Sequence, residues 1–410
     1  MVGWVNCTHY NCIKGEFFAL ETDKDMVYET INIMYDCHSE SYDGYEIYSL
    51  VNAGVNIINV DMTLHDTEYF QKIKGALELA QKIPENVPSA YKCPIGLSVT
   101  ISATKPIDVD ERVDIIILKD VTSTNQLYEF KKQNKKLSSM AILFWPPLLG
   151  ILDLHELIKI SSGLVLDPSM GDVFNVYYNV LKLCKDARKP VFYMNPSIAE
   201  DYYKCPDNNR KLLIQVRDLI TNKFDGIIIK YRGDELPIEF MQAFVRATEV
   251  LEKNTNQTTE YFDKSSPLLL PVLQPYTAAL AASIAAVTCG ARAIFVFTTT
   301  GSSAKDLSCA SPPCYVFAIT RSEKTARKMH LYRKVMPLLY QEKRLSSWQE
   351  ERLARTAFGV QFCLKRDLLD YKAKLVVLAP SDQGAAYCNS FQIATVSEVM
   401  KLFLCQKKEN

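Results

Sequence analysis

Residues 113–145 read VDIIILKDVTSTNQLYEFKKQNKKLSSMAILFW. Two apolar runs, Ile115–Leu118 (within the strand-like Val113–Leu118) and Met140–Trp145, bracket a helical pattern at Thr124–Asn134. A run that is apolar at every position suits a strand covered on both faces, the situation of a parallel sheet wrapped by helices. The same alternation extends in both directions. Further β-rich runs lie at Thr30–Asp36, Asn56–Asp61, Pro94–Thr100, Gly163–Asp167, Pro190–Met194 and Asp225–Lys230, with helical patterns such as Glu68–Ile83 and Val173–Asp186 between them. Eight runs in βα order predict a TIM (β/α)8 barrel over residues 30–266, preceded by an N-terminal segment, 1–29. The polar tract Lys253–Ser266 reads as a linker to a C-terminal α/β domain over 267–398, with a tail at 399–410.

The composition fits that division. A chain of 410 residues with 48% hydrophobic content is long enough for two or three domains with large cores. Lys+Arg and Asp+Glu are each 47, so no global field draws nucleic acid or an anionic membrane to it. The 12 cysteines are scattered, which predicts a reducing, cytoplasmic setting. The longest apolar stretch, Thr277–Phe297, is interrupted by Gly290 and Arg292 and divides better into a helix and a strand than into a membrane span.

Residues 294–337, IFVFTTTGSSAKDLSCASPPCYVFAITRSEKTARKMHLYRKVMP, read as strand, hydroxyl-rich loop, strand and helix, the last opened by a capping box at Thr320 and Glu323. This segment resembles the C-terminal three-layer α/β domain of pyruvate kinase. The resemblance rests on the T-x-[ST]-G-x-S loop, on AITRSEKTAR, and on HLYR with the apolar run ending at Pro337. In the barrel, GVNIINVDMTLHDTEY and KPVFYMNPS are similar to the family's second- and seventh-strand signatures. One departure is large. The family inserts a cap (B) domain between the third and fourth barrel strands, where this chain has only residues 101–112, enough for a loop but not a domain. The cap is therefore expected to be absent, and with it the upper half of the nucleotide site.

The resemblance also implies where catalytic groups should stand, and most are substituted. The fifth strand should supply a lysine and a glutamate, and here it has Phe144 and Pro146. The second metal carboxylate falls on Ser169, the phosphate-binding arginine on Asn59 and the proton-positioning threonine on Asn195. Asp61 and Thr63 match the family's potassium ligands; Asp and Thr are also the common residues of a strand end that starts the next helix, which is the commoner role. Asp167 is a lone magnesium candidate, or a turn residue beside Pro168. Lys119 and Lys230 end the fourth and eighth strands, either as replacements for the missing lysine or as solvated strand ends. Magnesium and potassium are implied if the chain is active; with these substitutions no functional cofactor is expected.

In the C-terminal domain the loop Thr298, Thr300, Gly301, Ser302 and Ser303 falls on the family's sugar-bisphosphate effector loop. It is expected to bind a phosphorylated metabolite weakly, or else only to cap the following helix. Asp382 adds negative charge near the second effector loop. Cys7, His9 and Cys12, with Cys37 and His38, have zinc-ligand types but no paired zinc-module spacing. His330, flanked by Arg327 and Arg333, reads as a packing and subunit-contact residue, and Ser347 with Glu350 as a second capping box opening a helix with Trp348 in the core. Three readings follow: a pyruvate kinase-like protein that has lost catalysis and serves as a binding or oligomer-forming subunit with like chains; an active pyruvate kinase with substituted residues; and a barrel hosting an unrelated activity. Neither nucleic acid nor membrane is an expected partner.

Overall fold

The computed structural model describes residues 31–38, 42–83, 94–103, 109–134, 139–146, 154–167, 174–204, 208–233, 235–254, 272, 274–385 and 387–409. The Cys7, His9 and Cys12 group, Ser169 and most of the tract 253–266 lie outside them.

Eight parallel strands close a barrel in sequence order: β1 (Asn32–Cys37), β2 (Val55–Asp61), β3 (Gly96–Ser102), β4 (Ile115–Lys119), β5 (Ala141–Trp145), β6 (Gly163–Leu166), β7 (Val191–Asn195) and β8 (Gly226–Lys230). β8 pairs back onto β1, with Lys230 opposite Asp36. All eight predicted runs are strands. The continuous apolar runs arise because each strand buries both faces. Met34, Ile57, Ile117, Leu143, Val165, Phe192 and Ile228 fill the interior. The alternate positions, such as Tyr35, Ile58, Ile116, Phe144, Leu164 and Ile229, pack under the surrounding helices. β3 ends at Ser102 and β4 begins at Ile115, so no cap domain stands between them.

The C-terminal sheet has five strands in the order β11-β10-β9-β12-β13: β9 (Ala293–Phe297), β10 (Tyr315–Thr320), β11 (Val335–Leu339), β12 (Lys374–Ala379) and β13 (Ser390–Thr395). Only β13 runs antiparallel to its neighbour. Its faces are covered separately, by Trp348–Leu364 and Val396–Glu409 on one side and by Gln274–Cys289 and Ser302–Ala310 on the other, giving three layers. The helix Trp348–Leu364 lies so close to β9 that a Cβ on Gly359 would fall 2.5 Å from Phe295 Cε1. The last helix runs from Val396 to Glu409, across the division placed at 398.

The words AITRSEKTAR and HLYR form the joint between the two halves. The helix here is Glu323–Lys328, capped by Ser322 rather than Thr320, and a 3-10 turn, Met329–Leu331, continues it. Leu331 plugs the N-terminal end of the barrel interior. Arg327 Nε donates to both oxygens of the fully buried Asp114 at 2.9 Å, and Arg112 donates to the same carboxylate at 2.9 Å. His330 Nε2 lies 2.6 Å from Pro94 O. Arg333 pairs with Glu252, and its backbone N–H donates to Asp225 Oδ1 at 3.1 Å. His330 thus takes the packing role read from the sequence, joining the two domains of one chain. At Ser347 no side-chain cap bond forms; Glu351, not Glu350, reaches back to accept from Leu345 N at 3.1 Å. Trp348 is only half-buried and donates through Nε1 to Pro380 O at 3.1 Å.

Candidate functional site at the barrel mouth

A barrel presents its reactive groups at the C-terminal ends of its strands, and parity decides which side chains reach the opening. On β1 and β2 the inward set ends with Asp36, Asn59 and Asp61; on β3, β4, β5 and β8 it ends with Thr100, Lys119, Trp145 and Lys230. These side chains form one polar cluster. Lys119 Nζ donates to Asp61 Oδ2 at 2.7 Å. Lys230 Nζ lies 3.0 Å from Asp36 Oδ2 and 3.7 Å from Asp61 Oδ2. Asn59 Nδ2 donates to Asp36 Oδ1 at 2.5 Å and to Thr100 Oγ1 at 3.0 Å. Both ammonium groups stand over the Trp145 ring, Lys119 at 4.9 Å and Lys230 at 5.7 Å from its centroid.

The carboxylates lie beneath and the ammonium groups above. Asp36 is 4% exposed and Asp61 1%, whereas the lysine side chains are 21% and 23% exposed. Burial raises Asp36, and Lys230 and Asn59 oppose the shift without cancelling it. Burial also acts on Asp61, but the hydrogen bonds from Lys119 and Thr63 outweigh it and hold that carboxyl below its ordinary value. Two carboxylates and two ammonium groups leave the cluster neutral in formal charge.

Several sequence-predicted sites therefore take a different form. Asp61 and Thr63 do come together, but Thr63 donates through N and Oγ1 to Asp61 Oδ1 at 3.0 and 2.6 Å, while Lys119 occupies Oδ2. A potassium ion there would have to displace a tethered ammonium. Magnesium meets the same obstacle: Lys119 and Lys230 already engage the two carboxylates that share this mouth. Among the described residues no group of three or more His, Cys, Asp or Glu side chains is placed to hold a metal ion. Lys119 and Lys230 are paired groups rather than solvated strand ends. Phe144 is fully buried on the helix-facing side of β5, so Leu143 and Trp145, not Phe144 and Pro146, are the residues directed inward. Asn195 shares the outward parity of Tyr193, and its Oδ1 accepts from Ser197 N at 3.1 Å at the start of the next helix. Asp167 follows β6, and its charge adds to the effect of burial in raising the Tyr193 hydroxyl. Cys37 packs under the helices, where burial pushes its thiol well up.

The hydroxyl-rich loop after β9 is largely self-bonded. Gly301 N donates to Thr298 Oγ1 at 2.8 Å, Ser302 N to Thr300 Oγ1 at 3.5 Å, and the Thr300 and Ser302 hydroxyls lie 3.0 Å apart. The Ser303 hydroxyl bonds the Cys388 thiol. Gly301 has φ 92° and precedes Ser302–Ala310. A side chain there would be strained and would fall 2.1 Å from Met329 Cε, which ties the loop to the domain joint. Asp382, near the second effector loop, is exposed and accepts from Ser381 Oγ at 2.8 Å. A cation absent from the sequence reading stands over Phe297, the residue that precedes the Thr298–Ser303 loop. The Arg355 guanidinium is 5.6 Å from the Phe297 and Trp348 rings, 5.7 Å from Tyr340, and 2.7 Å from Glu351. Its seven-residue spacing from Trp348 on one helix face was the available signal. At the barrel mouth Asp36 was the omission, since the first strand's last inward residue lies in an otherwise apolar run.

A family model described as the pyruvate kinase alpha/beta domain matches residues 277–394. The barrel half is similar to the same proteins. The chain is similar to pyruvate kinases in both halves. Pyruvate kinase 2 of Saccharomyces cerevisiae is 26% identical over 261 residues, covering 61% of this chain and 51% of that protein. Pyruvate kinase of Hypocrea jecorina is 28% identical over 348 residues, covering 83% and 60%. Human pyruvate kinase PKLR is 28% identical over 262 residues, covering 60% and 45%. The chain spans about half the length of the curated relatives it matches.

Proposed function

We propose that this pyruvate kinase-like chain does not transfer phosphoryl groups, and that it acts as a binding or oligomer-forming subunit beside like chains. The observation that carries the reading is the mutual pairing at the barrel mouth. Phosphoryl transfer needs carboxylates to hold a divalent metal and cations facing phosphate. Here Asp61 and Asp36 are taken by Lys119 and Lys230, and Asn59 is spent on Asp36 and Thr100. The short connection between β3 and β4 supplies nothing to close over a nucleotide. Magnesium and potassium are accordingly not working cofactors in this reading. The loop at Thr298–Ser303, with Arg355 over the preceding Phe297, is the proposed place for a phosphorylated metabolite, held weakly because Glu351 already pairs with Arg355. The proposed setting is cytoplasmic; among the described residues no helix is long and apolar enough to cross a membrane.

A coupled assay with phosphoenolpyruvate, ADP, Mg²⁺ and K⁺ tests the proposal. No turnover above background is expected, because losing even one key electrostatic group lowers a rate by about a hundredfold or more. Turnover of order 1 s⁻¹, an ordinary enzymatic rate, would overturn it in favour of an active enzyme with substituted residues.

A further inference from the structure

We propose that the barrel mouth is a metal-independent binding site for a small oxyanion, a carboxylate or phosphate, gripped by Lys119 and Lys230 above the Trp145 ring. The inference concerns the same mouth and rests on the reading that it no longer performs metal-dependent phosphoryl transfer. Both lysines keep unused donors. An ammonium group has three N–H bonds. Lys119 gives one to Asp61, and Lys230 gives one to Asp36 and lies 3.7 Å from Asp61. The carboxylates below are also engaged from other directions, Asp61 by Thr63 and Asp36 by Asn59. The remaining lysine donors, on the partly exposed ends of the side chains, are the polar groups the cluster leaves for a ligand.

The two cations are also held close together. Both lie within 3.7 Å of the same oxygen, Asp61 Oδ2, and both stand over the Trp145 ring. Left alone, two neighbouring ammonium groups repel; the buried carboxylates fix them in place and leave the rim positive over a negative floor. A planar or tetrahedral oxyanion fits between such donors, with charge-assisted hydrogen bonds to each. A second observation points inward along the same wall. Ser98, fully buried on the inward face of β3 and in register with Asn59, has a hydroxyl with no partner. That orphaned group is suited to a water or ligand oxygen within the interior.

The test uses the full chain in EDTA, without nucleotide, so its outcome is independent of the turnover assay. Inorganic phosphate and malonate are titrated separately while Trp145 emission and calorimetric heat are followed. At least one should bind with a dissociation constant below about 10 mM, which of the two naming the oxyanion. Two neutralised pairs, Asp36→Asn with Lys230→Gln and Asp61→Asn with Lys119→Gln, remove the ammonium groups without stranding a buried charge. Each pair should fold with an unfolding midpoint near that of the parent and bind at least about tenfold more weakly. Binding unchanged in both folded pairs, binding that appears only with added Mg²⁺, or no binding of either probe at about 10 mM overturns the proposal.

Discussion

Replacing Arg327 by Met should be among the most damaging single changes outside the barrel interior. Asp114 at the N-terminal end of the barrel is fully buried and accepts from Arg327 Nε through both oxygens at 2.9 Å, from Arg112 Nη1 at 2.9 Å and from Leu97 N at 3.1 Å. Breaking a buried ion pair by removing one partner costs about 3–5 kcal/mol when the other charge is left alone. Arg112 and Leu97 still serve Asp114 here, which places Arg327→Met near the lower end, about 3 kcal/mol. Asp114→Asn should lose a similar amount, because Arg112 and Arg327 then face each other without the carboxylate between them. The double variant removes both the stranded charge and the repulsion, so its loss should be smaller than the sum by about 1 kcal/mol or more. Guanidinium unfolding of the four proteins, followed by tryptophan emission and circular dichroism, gives the cycle. Losses under about 1 kcal/mol for both single variants, or strict additivity, would show that the pair is incidental and the domains are joined by apolar packing alone.

Two buried groups at the same joint should oppose each other in acid. Burial pushes Asp225 up to about 6 from an ordinary 3.8, so its contribution is present at low pH and is lost as pH rises through 6. Burial pushes His330 down to about 4 from an ordinary 6.5, so its contribution is present above 6.5 and is lost as pH falls through 4. The slopes cancel over that range. Asp225→Asn should therefore make stability fall more steeply between pH 6.5 and 4 than in the parent, and unchanged pH slopes in denaturant titrations would refute the opposition. Gly301→Ala should cost about 2 kcal/mol, since φ is 92° and the new Cβ would meet Met329 at 2.1 Å; Gly290→Ala, at φ 67° with nothing nearby, should cost less. Equal thermal shifts for the two glycine variants would show that the contact with Met329 does not matter.

The architecture was legible because each barrel strand must be apolar on both faces, and runs such as DIIIL, AILFW and GIIIK leave no other reading. The words of the C-terminal domain were legible too, but their meaning changed. Arg327, His330 and Arg333 read as the flanks and centre of a packing and subunit-contact helix, and they form a domain joint because the 3-10 turn sends Leu331 into the barrel end. The site was harder to read. Placing Phe144 and Asn195 among the mouth residues required a strand register, and a shift of one residue moves a side chain from the interior to the helix layer. Lys119 and Lys230 were visible as strand ends. Their partners were not, since Asp36 and Asp61 lie on different strands and pairing across a closed barrel has no local signature in the sequence.

In the proposed function, tethered ammonium groups take the place of metal at the barrel mouth. A Mn²⁺ titration followed by electron paramagnetic resonance, with phosphoenolpyruvate present, examines this directly. The free Mn²⁺ signal should match that of buffer up to about 1 mM metal, and no site should appear at protein stoichiometry. One bound ion per chain at micromolar affinity, lost in Asp36→Asn or Asp61→Asn, would contradict the account and return the mouth to metal-dependent chemistry.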